Sequence, residues 1–482
     1  MPDIKTRKAV KNQEHFFKWV NLLTMKKKIL YLAPIIAFLI YYLSFSFGLL
    51  TELEAKVLGI TSLVVIYWVS EAIPIPAASL IPFALFPLFG VLSNKLVARS
   101  YGHWLIILLL GGFILSTAME KSGLHKRIAL GLIQKIGIDS PARLIFGFML
   151  ASWFLSGWIS NTATTLMMLP IAMAIAAFDQ KRAFAPILLM GLAYAASIGG
   201  MATPIGTPPN VVLMGVYEES LGKTIAFADW MKMAYPISFI LLLAAWFFLT
   251  RKLGKVDLNS ASLLKKLGPM TKAETGVLIV FSLTALAWMT RAQPFGGWSG
   301  LLAIKGIGDD TVALLSVIFL FLIPDGKGER LLDWETANKI PWGLLLLFGG
   351  GIAIAQAFQV SGLSKTIGAG LSSFSEADYL MILIVICLSV TFLTEVTSNT
   401  ATTTLLMPIL AAAFMASERG PLSAMFPAAL SASCAFMLPV ATAPNAIVFG
   451  SGELSLKLML RYGIVLNLLG AALISLFCLF YF

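Results

Sequence analysis

An all-α, polytopic membrane protein is the fold class this sequence predicts, on three observations. Of its 482 residues 58% are hydrophobic and only 12% are charged, about half the charged share of an ordinary soluble domain. The mean hydropathy is +0.87. The apolar stretches run on for ~15–20 residues, as bilayer-spanning helices require, without the ~10-residue alternation of a membrane β-barrel.

Hydropathy places the first spans at 30–50, 57–70, 75–92 and 104–119, followed by a broken pair of apolar arms over 143–178. Further spans fall at 184–218 (interrupted at 203–209), 234–250, 277–290, 311–323 and 342–360. A second broken pair covers 379–416, then come 422–449 (interrupted at 439–444) and 463–482. The segment from Met25 resembles a signal peptide but lacks an A-x-A cleavage site, so it is expected to be the first span. Each arm of the two pairs is too short to cross with ease. Leu144–Ser160 would reach ~25 Å at 1.5 Å per residue, against a ~30 Å hydrocarbon core. A polar tip between two such arms predicts a re-entrant hairpin, and counting the pairs as hairpins leaves about eleven transmembrane helices.

The formal net charge of +11 is distributed as topology signals rather than as a nucleic-acid surface, and no nucleic-acid partner is expected. Lys5, Arg7, Lys8, Lys11, Lys18, Lys26, Lys27 and Lys28 crowd the N-terminus. With that end cytoplasmic, eleven spans also put two basic loops inside. One carries Lys121, Lys126, Arg127, Lys135 and Arg143, the other Arg251, Lys252, Lys255, Lys265, Lys266 and Lys272. Of the predicted outer loops, 292–310 holds only Lys305 and 361–378 only Lys365. This matches the positive-inside rule. The expected organisation is a basic cytoplasmic segment (1–28), a first repeat with an inward-opening hairpin (29–250), a basic cytoplasmic linker (251–273), and a second repeat with an outward-opening hairpin (274–482). The C-terminus is expected outside the cytoplasmic membrane. Cys387, Cys434 and Cys478 lie in apolar segments without ligand spacing and read as buried free thiols.

The repeat is legible in three matched pairs. "SNTATT" occurs at 160–165 and at 398–403. "WLIILLLGGFILSTAMEKSGL" from Trp104 resembles "WGLLLLFGGGIAIAQAFQVSGL" from Trp342, and "TPIGTPPN" (203–210) resembles "LPVATAPN" (438–445). Gly111-Gly112 and Gly349-Gly350-Gly351 read as close helix packing. Two copies entering from opposite faces form an inverted-topology repeat, which in secondary transporters places the substrate at the midplane between broken helices.

The residue types suit ions of both signs. Asn supplies a carbonyl oxygen and an amide, Thr a hydroxyl. A broken helix frees carbonyls for a cation at one end and N–H groups for an anion at the other. Pro204, Pro208, Pro209, Pro439 and Pro444 withhold backbone donors, and Gly206 tolerates unusual dihedrals. No Lys or Arg occurs in 144–180, 183–222, 366–418 or 420–456, and Glu395 is the only acid near the second tip. A proton pump would be expected to carry intramembrane carboxylates or histidines, and an anion pore a basic ring. An anion bound here must be neutralised by helix dipoles and co-bound cations, which predicts cation-coupled anion transport. No nucleophile–base pair or metal-ligand cluster marks an enzyme. Glu71 reads as a helix cap or cytoplasmic-surface partner, and Glu395 as a possible gating or electrostatic group.

With the doubled SNT motif, the paired Thr/Pro breaks and "SEAIPIPAASLIPFALFPLFG" (70–90), the chain resembles the divalent anion/sodium symporter family of dicarboxylate and citrate carriers from about residue 30 onwards. The resemblance implies a homodimer with an elevator-type transport domain, two Na⁺ sites, and a dicarboxylate held between the SNT tips. It assigns Asn161, Thr162, Asn399 and Thr400, with Thr207 and Thr442, to the substrate. It assigns Ser156, Ser160, Asn161 and Gly206 to a first Na⁺ site, and Thr394, Ser398, Asn399 and Ala441 to a second. The expected function is Na⁺-coupled import of C4-dicarboxylates such as succinate, malate or fumarate, with two or more coupling ions. The alternatives are a Na⁺-independent exchanger, or a citrate or sulfate carrier, on the same scaffold.

Overall fold

The structure is a computed structural model that describes residues 26–137, 139–177, 184–253, 267–292, 296–304, 306–370, 378–415 and 417–482. The basic tail before Lys26, linker residues 254–266 with Lys255, Lys265 and Lys266, and Lys305 lie outside the described residues. Among the described residues the regular secondary structure is all helical, apart from an isolated bridge between Pro324 and Arg330. Seven helices among the described residues are long and apolar enough to cross a membrane: Lys26–Ser46, Glu52–Ser70, Asn94–Ser122, Phe227–Thr250, Lys272–Thr290, Trp342–Ser361 and Leu456–Tyr481. Shorter apolar helices pack among them, as a multi-pass protein with hairpins and broken helices requires. Tyr31, Phe38, Leu283 and Phe480 are among the large apolar side chains left outside the cores, where lipid rather than water is the solvent.

Local chemistry sets the helix ends. Thr51 with Glu54 and Thr271 with Glu274 form capping boxes at the starts of Glu52–Ser70 and Lys272–Thr290. The second helix thus begins inside the expected linker. The matched Gly-Gly helices, Trp104–Ser122 and Trp342–Ser361, both end on a left-handed glycine, Gly123 (φ 79°) and Gly362 (φ 86°). Each is followed by a connecting helix, Leu124–Ile136 and Leu363–Gly370. The two capping boxes then clasp the connecting helix of the opposite half. Glu274 Oε1 accepts from Arg127 Nε at 2.8 Å, and Glu54 Oε1 accepts from the Thr366 hydroxyl. The Gly-Gly stretches are packing devices, as expected. A Cβ on Gly112 would meet Ile205 at 3.2 Å, one on Gly350 the Ser79 carbonyl at 2.8 Å, and one on Gly351 the Thr404 methyl at 2.5 Å.

Two cores organise the molecule. A smaller one joins Val57, Val64 and Trp68 to Phe86, Val97, Ile354 and Phe358. The larger runs from Leu105 to Cys478 and contains both hairpins and both broken helices. Cys387, Cys434 and Cys478 are free and buried.

Three sequence-based boundaries are corrected. The expected span 75–92 is two short helices, Ile75–Ala78 and Ile81–Leu88. Pro76 and Pro82 sit in their first turns, where proline favours a helix start, and an eight-residue helix covers only ~12 Å. The breaks expected at 203–209 and 439–444 lie instead between Gly200 and Pro208 and between Ser431 and Ala443. Pro208, Pro209 and Pro444 open the following helices rather than interrupting the preceding ones.

Candidate substrate and ion site

Both polar tips cap helices. The first hairpin has arms Pro141–Ser156 and Asn161–Ala176, the second Tyr379–Leu393 and Asn399–Ala413. Ser160 and Ser398 are the N-caps of the returning arms, and Thr207 and Thr442 are the N-caps of Pro208–Leu221 and Ala443–Gly450, the second pieces of the broken helices. Four helix N-termini therefore meet around one space. It is a cavity of about 460 Å³ lined by Ser160, Asn161, Thr162, Gly206 and Thr207 from one half and by Ser398, Asn399, Thr400, Ala441 and Thr442 from the other. Each N-terminus exposes unsatisfied N–H groups and a partial positive charge. An anion can be held here without lysine or arginine, and neither type is in the lining.

The remaining predicted residues, Ser156 and Thr394, are fully buried behind the tips. The Ser156 hydroxyl donates to Asn161 Oδ1 at 2.5 Å, and the Thr394 hydroxyl stands 2.5 Å from Asn399 Oδ1 and 3.1 Å from the Ala432 carbonyl. Each tip thus gathers hydroxyl and amide oxygens beside the carbonyls freed where the outgoing arm ends, a donor set suited to a hard monovalent cation. Behind them Asn210 and Asn445 staple the breaks. Asn210 Nδ2 donates to the carbonyls of Gly200 (2.9 Å) and Thr203 (2.7 Å), and Asn445 Nδ2 to those of Ala435 (2.9 Å) and Leu438 (3.0 Å). The same bonds in both halves make the repeat a property of the structure as well as of the sequence.

The substitution of alanine for glycine between the halves has a steric account. A Cβ on Gly206 would lie 2.5 Å from the Gly200 carbonyl oxygen, inside contact distance of an unyielding backbone atom. The second break is longer, and Ala441 fits there, buried at 8% exposure. The halves also differ in openness. Ile205 and its counterpart Val440 both line the cavity, but Ile205 is 7% exposed and Val440 81%.

Several lining residues escape the motif-based reading: Trp68, Leu109, Phe113, Pro341, Leu344 and Thr397. Thr397 replaces Ile159 of the first tip and shares a hydrogen bond with the Thr402 hydroxyl at 2.6 Å; that polar-for-apolar exchange was the available signal. Glu71 caps Glu52–Ser70 in the left-handed conformation (φ 49°) and lies 3.6 Å from Lys26 Nζ, as a cap and surface partner should. It also lines the cavity, the one charged residue among the described residues that do so. Among the described residues no group of His, Cys, Asp and Glu is arranged to hold a transition metal.

Residues 25–482 match the family described as "Sodium:sulfate symporter transmembrane region". The chain is 41% identical over 469 residues to the sodium-dependent dicarboxylate transporter SdcS of Staphylococcus saprophyticus, covering 93% of this chain and 89% of that protein. It is 42% identical to SdcS of Staphylococcus aureus over 442 residues, covering 87% and 84%. Among solved structures, the Alcanivorax borkumensis YdaH transporter superposes with a TM-score of 0.59 at 15% identity, over 82% of this chain and 88% of that one. The Neisseria gonorrhoeae efflux pump MtrF gives 0.57 at 16% identity, over 82% and 83%, and both show likeness of fold alone. The doubled tips, the stapled breaks and a family match over nearly the whole length agree: the chain belongs to the sodium:sulfate symporter family of membrane transporters.

Proposed function

We infer that this chain is a Na⁺-coupled symporter that imports C4-dicarboxylates such as succinate, malate or fumarate. The observation that carries the reading is the single cavity shared by two asparagine-bearing tips and four helix N-termini, with no basic side chain in its wall. Asn161 with Thr162 and Asn399 with Thr400 would each receive one carboxylate, helped by Thr207 and Thr442. A first Na⁺ would sit among Ser156, Ser160, Asn161 and Gly206, and a second among Thr394, Ser398, Asn399 and Ala441. Two relatives more than 40% identical are named sodium-dependent dicarboxylate transporters, which supports both the cargo and the ion.

Coupling follows from charge. A dianion alone is disfavoured at the midplane and opposed by an inside-negative potential. Two Na⁺ neutralise it, and each further inward charge gains ~2.3 kcal/mol per 100 mV. With the paired short helices of 75–92 counted together as one crossing, about eleven spans and two opposed hairpins would leave the N-terminus in the cytoplasm, the C-terminus outside, and Glu71, which lines the cavity, on the cytoplasmic side. The protein would work as a homodimer in the cytoplasmic membrane, each transport domain moving elevator-fashion between the two faces.

The test is uptake of labelled succinate into proteoliposomes with and without an inward Na⁺ gradient; full uptake in choline would mean a Na⁺-independent exchanger. A second reading, a sulfate carrier, is favoured by the family's own description. Sulfate and citrate competing against succinate in the same assay separate these cargoes, and the two-tip geometry predicts that C4-dicarboxylates compete best.

A further inference from the structure

Glu395 is the one acidic side chain at the second tip and has no role in the site as described so far. It is 3% exposed, next to Thr394, with both carboxylate oxygens engaged as acceptors. Oε1 accepts from the Met437 N–H at 2.8 Å and from Asn467 Nδ2 at 2.7 Å, and Oε2 from the Leu438 N–H at 2.9 Å. Asn467, on the helix Leu456–Tyr481, accepts in turn from the Phe436 N–H at 3.1 Å. The pair thereby satisfies three successive N–H groups that the second break takes out of helical bonding.

The first half has no such device. The position matching Glu395 is Gly157, whose carbonyl accepts from the Thr203 hydroxyl. The N–H groups of Met201 and Ala202 close ordinary turns onto Ile198 (3.2 Å) and Gly199 (3.0 Å). The first break is thus held by its own turns, by Asn210 and by the Trp230 indole donating to the Met201 carbonyl, while the second is braced by a buried carboxylate. No lysine or arginine occurs in 366–418 or 420–456, and hydrogen bonds, not an ion pair, hold that carboxylate among the described residues. Removing a carboxylate from water is costly unless an opposite charge compensates. The hydroxyl and amide oxygens of Thr394 and Asn399 are where such a charge can sit.

We propose that Glu395 is the counter-charge and positioning residue of the second Na⁺ site, holding the second break in register and making that site the tighter of the two. This rests on the reading of Thr394, Ser398, Asn399 and Ala441 as a cation site. The two sites, alike in their hydroxyl and amide donors, are then unequal in affinity because only one has a fixed negative charge behind it.

The experiment measures succinate uptake against Na⁺ concentration in proteoliposomes, and Na⁺-dependent melting of the detergent-purified full chain. Glu395→Gln is expected to raise the Na⁺ concentration for half-maximal uptake roughly tenfold, with the succinate KM at saturating Na⁺ little changed. Asn467→Ala, which loosens the brace but keeps the charge, is expected to lower the melting temperature and leave the Na⁺ dependence near wild type. Wild-type Na⁺ dependence in E395Q, or the same shift in N467A, overturns the proposal. If E395Q does not fold, Glu395→Asp carries the test: near-wild-type Na⁺ dependence is expected, and a tenfold loss overturns it. Thr394→Val separates the two levels of inference. If it leaves Na⁺ dependence untouched, the cation-site reading itself fails; if it shifts and E395Q does not, only the role of Glu395 falls.

Discussion

Asn161 and Asn399 begin their helices in the same way, each with its Oδ1 beside a hydroxyl from the preceding arm. In the proposed site that amide oxygen would face the cation, while the helix N-terminus it starts lines the cavity. One residue would then link ion and anion occupancy, and its truncation should remove both. Asn161→Ala and Asn399→Ala are each expected to lower uptake by ~100-fold or more, the scale of one lost positioning group, with the protein still present in the membrane. Wild-type uptake by either variant would sink the site assignment. At the breaks the expectation is asymmetric. Gly206→Ala, which drives a Cβ against the Gly200 carbonyl, should cost most of the transport rate, whereas Ala441→Gly should be tolerated. A parallel pair of uptake assays decides, and equal effects would mean that the steric account is wrong.

Among the elements, the hairpins and broken helices owe their positions to close backbone approaches rather than to side-chain volume. Gly199, near the end of Phe184–Gly200, is the tightest of these at the site. A Cβ there would lie 2.1 Å from the Trp153 carbonyl oxygen on the outgoing arm of the first hairpin. Gly199→Ala is expected to destabilise the protein by about 1–3 kcal/mol, seen as a lower melting temperature in detergent. A variant as stable as wild type would show that the arm can move away freely. Prolines at the starts of Pro208–Leu221 and Ala443–Gly450 act in the same economical way, since their missing N–H groups are ones a helix start leaves unpaired anyway.

In the whole molecule, the two halves repeat the asparagine bonds that staple their breaks but not each other's exposure. Both Val440 and Ile205, its counterpart, line the cavity, but Val440 is exposed and Ile205 is buried. If the repeats exchange roles in the transport cycle, as inverted repeats do, that difference marks one end state. A cysteine at Val440 should then react with a membrane-impermeant thiol reagent from the cytoplasmic side, and one at Ile205 from the outside only in the opposite state. Wild-type Cys387, Cys434 and Cys478 are buried and should give little background. Labelling of both positions from one side would contradict the alternating arrangement.

The sequence by itself determined the membrane class and the repeat, while its resemblance to a known family supplied the residues proposed for substrate and ions. Each rests on local information: unbroken hydropathy, a doubled hexapeptide, and Asn, Thr and Pro in matched order. It also showed the lack of basic residues around the tips, which is a statement about composition. Tertiary structure decided what local patterns leave open. Only folding reveals that four helix N-termini share one cavity, since convergence depends on packing between distant segments. Only folding brings Trp68 and Glu71 to the cavity wall, divides 75–92 into two short helices, and turns Glu395 onto Met437, Leu438 and Asn467. The position of a helix break was legible only to within a few residues, because proline marks both the end of one helix and the start of the next, and the choice between them is made by what the freed backbone groups can bond to.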